Sequence, residues 1–362
     1  MLSLIVFILV LSILIIVHEF GHFIVAKKSG VRVEQFSLGF GKKIFSIIRK
    51  ETEYIVCAIP LGGYIKLAGD NLDEYKGNSD EYLSQPVFKR FGIIFCGPLL
   101  NYLLGFLVFW MIFFSGYPTL TTKVGGLIDE MGAKEAGIAV GDKIIAVEGK
   151  KVALWEALQK SIQSNKSKEK VLITVLRNEK VYNFAVKIKQ TPLEDILGQK
   201  RNVGLIGIKP DINETIKIRH GFLESFVMSI DKTLEFTGLT YKALWLMMLR
   251  KMSIKESVSG PLGIFFVTSQ ATKMGIIALM HLMAVLSLSL AIFNLLPLPA
   301  LDGGHILLLC IEKLRGKYLS KKAEEIFSRV GLSFIVVLAI LVSYNDLVRF
   351  GFVDKVVKFF SK

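Results

Sequence analysis

The chain has 362 residues, 52% of them from the hydrophobic set, and a formal net charge of +14. With a positive mean hydropathy it is too apolar for an ordinary soluble enzyme of this length, which makes a membrane protein the class to develop. Cys57, Cys96 and Cys310 are odd in number and widely spaced with no CxxC pair, which argues against a disulfide framework and a thiolate metal site.

Apolar residues concentrate near 1–26, 91–115, 275–298 and 331–344, each close to the length that crosses a bilayer, so about four transmembrane helices are predicted. The first run lacks a charged n-region and an A-x-A-like cleavage site and reads as a retained span rather than a signal peptide. It also carries His18, Glu19 and His22, and polar groups inside a spanning helix are costly enough to mark function. The order H-E-F-G-H sets two imidazoles at i and i+4 on one helix face, about a turn apart. Glu19 is then placed to take a proton from an attacking water rather than to bind metal itself. The pattern points to zinc-assisted hydrolysis.

Eleven Lys or Arg fall between residues 27 and 90, and six between 313 and 329. These are the two connections that share one side of a four-span protein. The positive-inside rule makes both cytoplasmic, and the basic excess fits that rule better than a nucleic-acid stripe, so no nucleic-acid partner is expected. Lys27 and Lys28 follow the histidine motif within two turns, which places the site nearer the cytoplasmic face. Within the loop 36–66, Ile44–Ile48 and Tyr54–Ile59 read as short strands after a glycine turn at Gly39–Gly41. This loop is expected either to dip into the membrane beside the metal, where an open strand edge would pair with an unwound substrate, or to pack as a cytoplasmic hairpin.

Residues 117–215 have ordinary soluble composition and form a separate domain on the outer side. Val171–Leu176 and Val181–Val186 flank Arg177–Lys180 as a hairpin. Residues 222–250 are rich in Phe, Leu, Trp and Met but are broken by charges, which predicts an interfacial amphipathic helix within a linker region 216–274. The predicted division is thus 1–116, 117–215, 216–274 and 275–362.

A catalytic zinc wants three protein ligands and an open position. In the run Asn294-Leu-Leu-Pro-Leu-Pro-Ala-Leu-Asp302-Gly-Gly-His305, a carboxylate ends an apolar stretch whose prolines forbid regular helix. Irregular backbone at membrane depth is tolerated only in a protein interior or a wet cavity, so Asp302 is the candidate third ligand. A helix N-cap is its competing role, and His305 is the alternative ligand. His220 and His281 lack partners at ligand spacing.

HEFGH, Gly97-Pro-Leu-Leu-Asn101 and NLLPLPALDGG together resemble the site-2 protease family, most closely its bacterial RseP-type members. Gly39-Phe-Gly41, Gly62-Gly63-Tyr64 and Ser259-Gly260-Pro261 extend the likeness to nearly the whole chain. The resemblance implies His18, His22 and Asp302 as zinc ligands, Glu19 as the catalytic base, and Asn294 as a contact to the substrate backbone or oxyanion; a buried amide bridging two helices is the other reading of Asn294. The outer domain resembles a PDZ module, most clearly over Ala136–Gly149, with room for one module where some relatives carry two. PDZ modules capture extended peptides, which makes Val124-Gly125-Gly126 a candidate carboxylate loop, although a size filter would need no peptide ligand.

The implied fold is an α-helical polytopic membrane protein with about four transmembrane helices, a membrane-associated β-hairpin loop and an inserted β-rich PDZ-like extracytoplasmic domain. The implied activity is that of an intramembrane zinc metalloprotease in the bacterial inner membrane, cutting single-span membrane proteins or peptides such as an anti-sigma factor or signal-peptide remnants. A PDZ-bearing membrane adaptor with a vestigial protease site and a divalent-metal transporter are the rivals. A scaffold has no chemical need for Glu19, and a transporter would repeat polar ligands across several spans.

Overall fold

No proline, and no glycine before Gly21, interrupts the apolar N-terminal run, and it forms one helix, α1 (Leu2–Lys28), ending in Lys27 and Lys28, where cations meet the negative end of the helix dipole. The computed structural model describes residues 2–195, 197–253, 259–317 and 320–349. They fall into two compact units, one within Met1–Ile112, Ser225–Lys242 and Ser253–Lys362, the other Phe113–Glu224 with Ala243–Met252.

In the first unit, α1 is followed by two long antiparallel strands, β1 (Val33–Arg49) and β2 (Thr52–Leu67). Both are longer than the sequence suggests, because Gly39–Gly41 is not a turn ahead of the strands but a bend inside β1. Gly39 has φ 90, and a Cβ there would lie 2.4 Å from the Ile59 carbonyl oxygen, so the bend requires glycine. The bend folds the strands back on themselves. Phe36 is in register with both Tyr54 and Ile65, and Ile55 with both Ser37 and Ser46, so 53–56 is an interior segment and 63–66 an outer one. Ser12 Oγ donates to the Pro60 carbonyl at 3.0 Å, which sets that part of β2 beside the middle of α1. Helix α2 (Val87–Ser115) follows, with Pro98 inside it.

The second unit has its own core. Strands β3 (Tyr117–Leu120) and β4 (Val124–Leu127) lead through α3 (Gly132–Glu135) to β5 (Lys143–Val147) and β6 (Lys150–Lys151). Helix α4 (Trp155–Ser164) precedes β7 (Lys170–Arg177) and β8 (Lys180–Lys187), and β9 (Lys189–Glu194), β10 (Lys200–Leu205), β11 (Ile208–Pro210) and β12 (Thr215–Ile218) complete the unit. The sheet order is β6-β5-β7-β8. The expected hairpin is present, with Asn178 and Glu179 at φ 47 and 64 forming its two-residue turn. Val171, Ile173 and Val175 alternate inward from β7 and meet Trp155, Leu158 and Ile162, which line one face of α4. Arg177 grips the buried Asp142 through two bonds of 2.6 and 2.7 Å. The Val124-Gly125-Gly126 run opens strand β4: Val124 N–H donates to the Asp142 carbonyl at 2.8 Å, and Gly126 is in register with Lys209 of β11.

Helix α5 (Phe222–Met248) forms where the amphipathic stretch is read, and its Ser225–Lys242 portion belongs to the first unit. There Thr237 Oγ1 lies 3.0 Å from Tyr102 Oη, and Phe226 meets Phe106 edge-on. The region read as linker holds a further helix, α6 (Pro261–Met274). Its first turn takes an N-terminal cap from outside, Gly263 N–H donating at 2.8 Å to the fully buried carboxylate of Asp346. Helices α7 (Ile276–Asn294), α8 (Asp302–Arg315) and α9 (Lys321–Arg349) follow. Among the described residues four helices are long and apolar enough to cross a membrane: α1, α2, α7 and, within α9, Glu325–Arg349. The chain is thus a four-span membrane protein with an inserted β-rich unit.

At one end of α2, Arg90 forms a bidentate ion pair with Glu312 of α8, one arm at 3.0 Å, and its Nε donates to the Gln85 carbonyl at 3.0 Å. Removing one member of a buried pair leaves the other charge uncompensated, at a cost of about 3–5 kcal/mol. Arg90→Ala is expected to lower the thermal midpoint of the purified protein by several degrees. The double replacement Arg90→Leu, Glu312→Leu is expected to recover part of that loss in the same melting measurement.

Candidate metal centre

His18 and His22 project from the buried face of α1 toward the first turn of α8. Their Nε2 atoms lie 3.2 Å apart. His18 Nε2 lies 3.1 Å from Asp302 Oδ2, and His22 Nε2 3.7 Å from Asp302 Oδ1. One ligand atom from each of the three residues falls within 4.8 Å of the others, the single such cluster among the described residues. Asp302 is not a cap: helix α8 starts at Asp302 itself, Leu301 holds the N-cap position, and no side chain caps it. Its Oδ2 is buried without a hydrogen-bond partner among the described residues. Two imidazole nitrogens and a carboxylate facing one another in apolar surroundings are a set that a divalent cation would satisfy, and histidine with carboxylate suits zinc.

The other ring nitrogens are held so that the Nε2 atoms stay free. His22 Nδ1 lies 2.8 Å from the Ile93 carbonyl of α2, and the proton on that nitrogen leaves the Nε2 lone pair for metal. The amide of the fully buried Asn101 lies 3.5 Å from His18 Nδ1. Among the described residues its Oδ1 has no partner; turned toward the ring, Oδ1 accepts the His18 Nδ1 proton, which leaves the Nε2 lone pair for metal. Neither role was legible in the sequence, although Asn101 closes the GPLLN motif.

Glycine makes this approach geometrically feasible. A Cβ on Gly21 would sit 2.2 Å from the Cys96 carbonyl, and one on Gly97 only 2.3 Å from His22 Nε2. Backbones of α1 and α2 therefore pass in contact where the histidines sit, as small residues permit in membrane bundles.

Glu19 shares with His18, His22, Asn294 and Asp302 the lining of a cavity of about 460 Å3. Asn294, the last residue of α7, brings Nδ2 to 3.4 Å from His18 Nε2. His305 lines the same cavity but is not in the ligand cluster. Tyr64 and Ile65 of β2 form another wall, and the Gly63 position lies against Glu19 Cγ and Ile15. The strand segment beside the site is therefore the outer 63–66, while Ile55 and Cys57 are buried within the sheet. His220 pairs with Glu224 at 2.9 Å and His281 packs against Phe109, both apart from this cluster.

The pattern of Peptidase family M50 matches residues 6–338. The chain belongs to peptidase family M50. A protein of Fusobacterium nucleatum named as a candidate zinc metalloprotease is 34% identical, over 94% of this chain and 96% of its own length. Zinc metalloprotease RasP of Oceanobacillus iheyensis is 26% identical, over 96% of this chain and 99% of its own. Among solved structures, the PDZ domain of an SdrC-like protein from Listeria monocytogenes is 21% identical and covers 26% of this chain and 88% of its own, with a TM-score of 0.20. With family M50, the site-2 protease family, and four spanning helices, the chain is an intramembrane zinc metalloprotease. Adaptor and transporter readings have no support from these relatives.

Gly97→Ala is expected to reduce zinc retention at least tenfold, because the new methyl would occupy the space of the His22 imidazole. Gly92→Ala, on the same helix with its nearest neighbour at 3.7 Å, is expected to leave it unchanged. Metal content of the two purified variants checks the contrast.

Proposed function

We propose that His18, His22 and Asp302 hold the zinc ion and that Glu19 is the general base of an endopeptidase acting on single-span membrane proteins or peptides. The clustering of the three donor atoms within 4.8 Å, with Glu19 on the wall of the same cavity, carries this reading. A bound zinc ion supplies Lewis-acid polarisation and makes water a nucleophile near neutral pH. Glu19 takes the proton from the attacking water and returns it to the departing amide nitrogen. Asn294 Nδ2 offers a donor at the cavity wall for the substrate carbonyl as negative charge develops on it.

A helix in lipid hides its carbonyls in its own hydrogen bonds, so the substrate must be extended before attack. The outer segment 63–66 is suited to this. It borders the cavity and has one neighbouring strand, 35–38, which leaves its other edge for a substrate strand. Pro60 lies beside Ser12, about 22 Å along α1 from Lys27 at 1.5 Å per residue, which supports a hairpin that re-enters the membrane. With Lys27 and Lys28 on the inner side, the site lies nearer the cytoplasm of a bacterial inner membrane and the β-rich unit outside. Membrane-anchored anti-sigma factors and signal-peptide remnants are substrates of this class.

Glu19→Gln is expected to keep its zinc while cleavage of a single-span substrate falls by about 10²–10⁴-fold. Equal cleavage by both proteins would contradict the role of Glu19. A proline scan through the substrate near the scissile bond is expected to alternate between tolerated and rejected positions with a period of two, as strand pairing demands. A flat profile would remove the strand-pairing step.

A further inference from the structure

We propose that the turn of the β1–β2 hairpin, together with the end of α1, binds the headgroup phosphate of an acidic phospholipid. A cavity of about 560 Å3 lies there, separate from the metal centre, lined by Lys27, Arg49, Lys50, Thr52 and Tyr54. Three cations converge on it, and none of their side chains has a hydrogen bond or ion pair among the described residues. Of the nearby acids, Glu53 is taken by Lys43 through bonds of 2.8 and 2.9 Å, and Glu51 makes no hydrogen bond or ion pair with these cations among the described residues. Like charges gathered without a paired carboxylate repel one another, and an anion in the cavity lowers that repulsion.

Backbone conformation points the same way. Lys50 occupies the turn with φ 53, a region that glycine or asparagine would enter at less cost. A lysine kept in that position contributes a charge at the mouth of the cavity.

The neighbourhood selects a lipid over a free anion. Ile44, Phe45, Ile47 and Ile48, leading into the turn, are 70%, 59%, 47% and 72% exposed, so both faces of that strand present apolar side chains. Water would make such a strand an aggregation edge, whereas acyl chains cover it. Lys27 closes a spanning helix and so lies at the headgroup layer, where basic pockets bind anionic lipid heads. Tyr54, with an apolar ring and polar tip, suits the same level.

The test uses the full chain in detergent, titrated with phosphatidylglycerol or phosphatidylcholine and read by native mass spectrometry as lipid retained per protein. The triple variant Lys27→Gln, Arg49→Gln, Lys50→Gln is expected to lose phosphatidylglycerol retention by about a hundredfold, roughly fivefold for each cation, with phosphatidylcholine unaffected. Lys27→Arg, Arg49→Lys, Lys50→Arg is expected to retain the lipid, and unchanged zinc content in both variants certifies the fold. Equal retention by wild type and the glutamine variant overturns the proposal. So does equal retention of the two lipids, or displacement of phosphatidylglycerol by excess inorganic phosphate, which would mark a free-anion site.

Discussion

The architecture of the membrane unit turns on one electrostatic constraint. Two imidazole nitrogens and a carboxylate from opposite ends of the chain are confined within a few ångströms of one another where water is scarce. In such a medium unpartnered polar groups are costly, and a cation between them with fixed partners behind them would relieve that cost. The Ile93 carbonyl and the Asn101 amide are those partners, and both come from α2. Contact between α1 and α2 at Gly21 and Gly97 is thus part of the chemistry as well as of the packing.

The same constraint explains the short turn between α7 and α8. Its prolines end one helix and let the next start at Asp302, so the carboxylate emerges from a helix N-terminus facing α1. Gly303 and Gly304 then let α8 begin in contact with the preceding carbonyls, their Cβ positions lying 2.3 Å from the Leu296 oxygen and 2.2 Å from that of Leu298. On the far side of the cavity the bent hairpin supplies a strand edge. Pro60 of the hairpin lies beside mid-α1 and its turn beside Lys27 at the end of α1, so one element runs from the site to the end of a spanning helix.

Much of this was legible in the sequence, for definite reasons. The i, i+4 spacing of His18 and His22 fixes their shared face in any helix, and charges in an apolar run have few benign explanations. The spans were readable from length and hydropathy alone. Asp302 and His305 were harder to separate, because choosing between them depends on where α8 begins, which the Pro-Leu-Pro run leaves open. Asn101 and Ile93 were invisible as ring partners, since a carbonyl has no sequence signature and an amide in a spanning helix has several uses. Residues 44–66 read as short strands because the glycines at 39 and 41 look like a terminator rather than a bend. Helix α6 was missed because its 14 residues are too few to span, and its cap comes from Asp346, more than eighty residues away.

X-ray absorption at the zinc edge of the active, purified protein tests the central claim most directly. The account predicts a first shell of two imidazole nitrogens and a carboxylate oxygen plus one exchangeable light ligand, with one imidazole lost in His22→Ala. A shell containing sulfur, or one unchanged by both His22→Ala and Asp302→Ala, would contradict it.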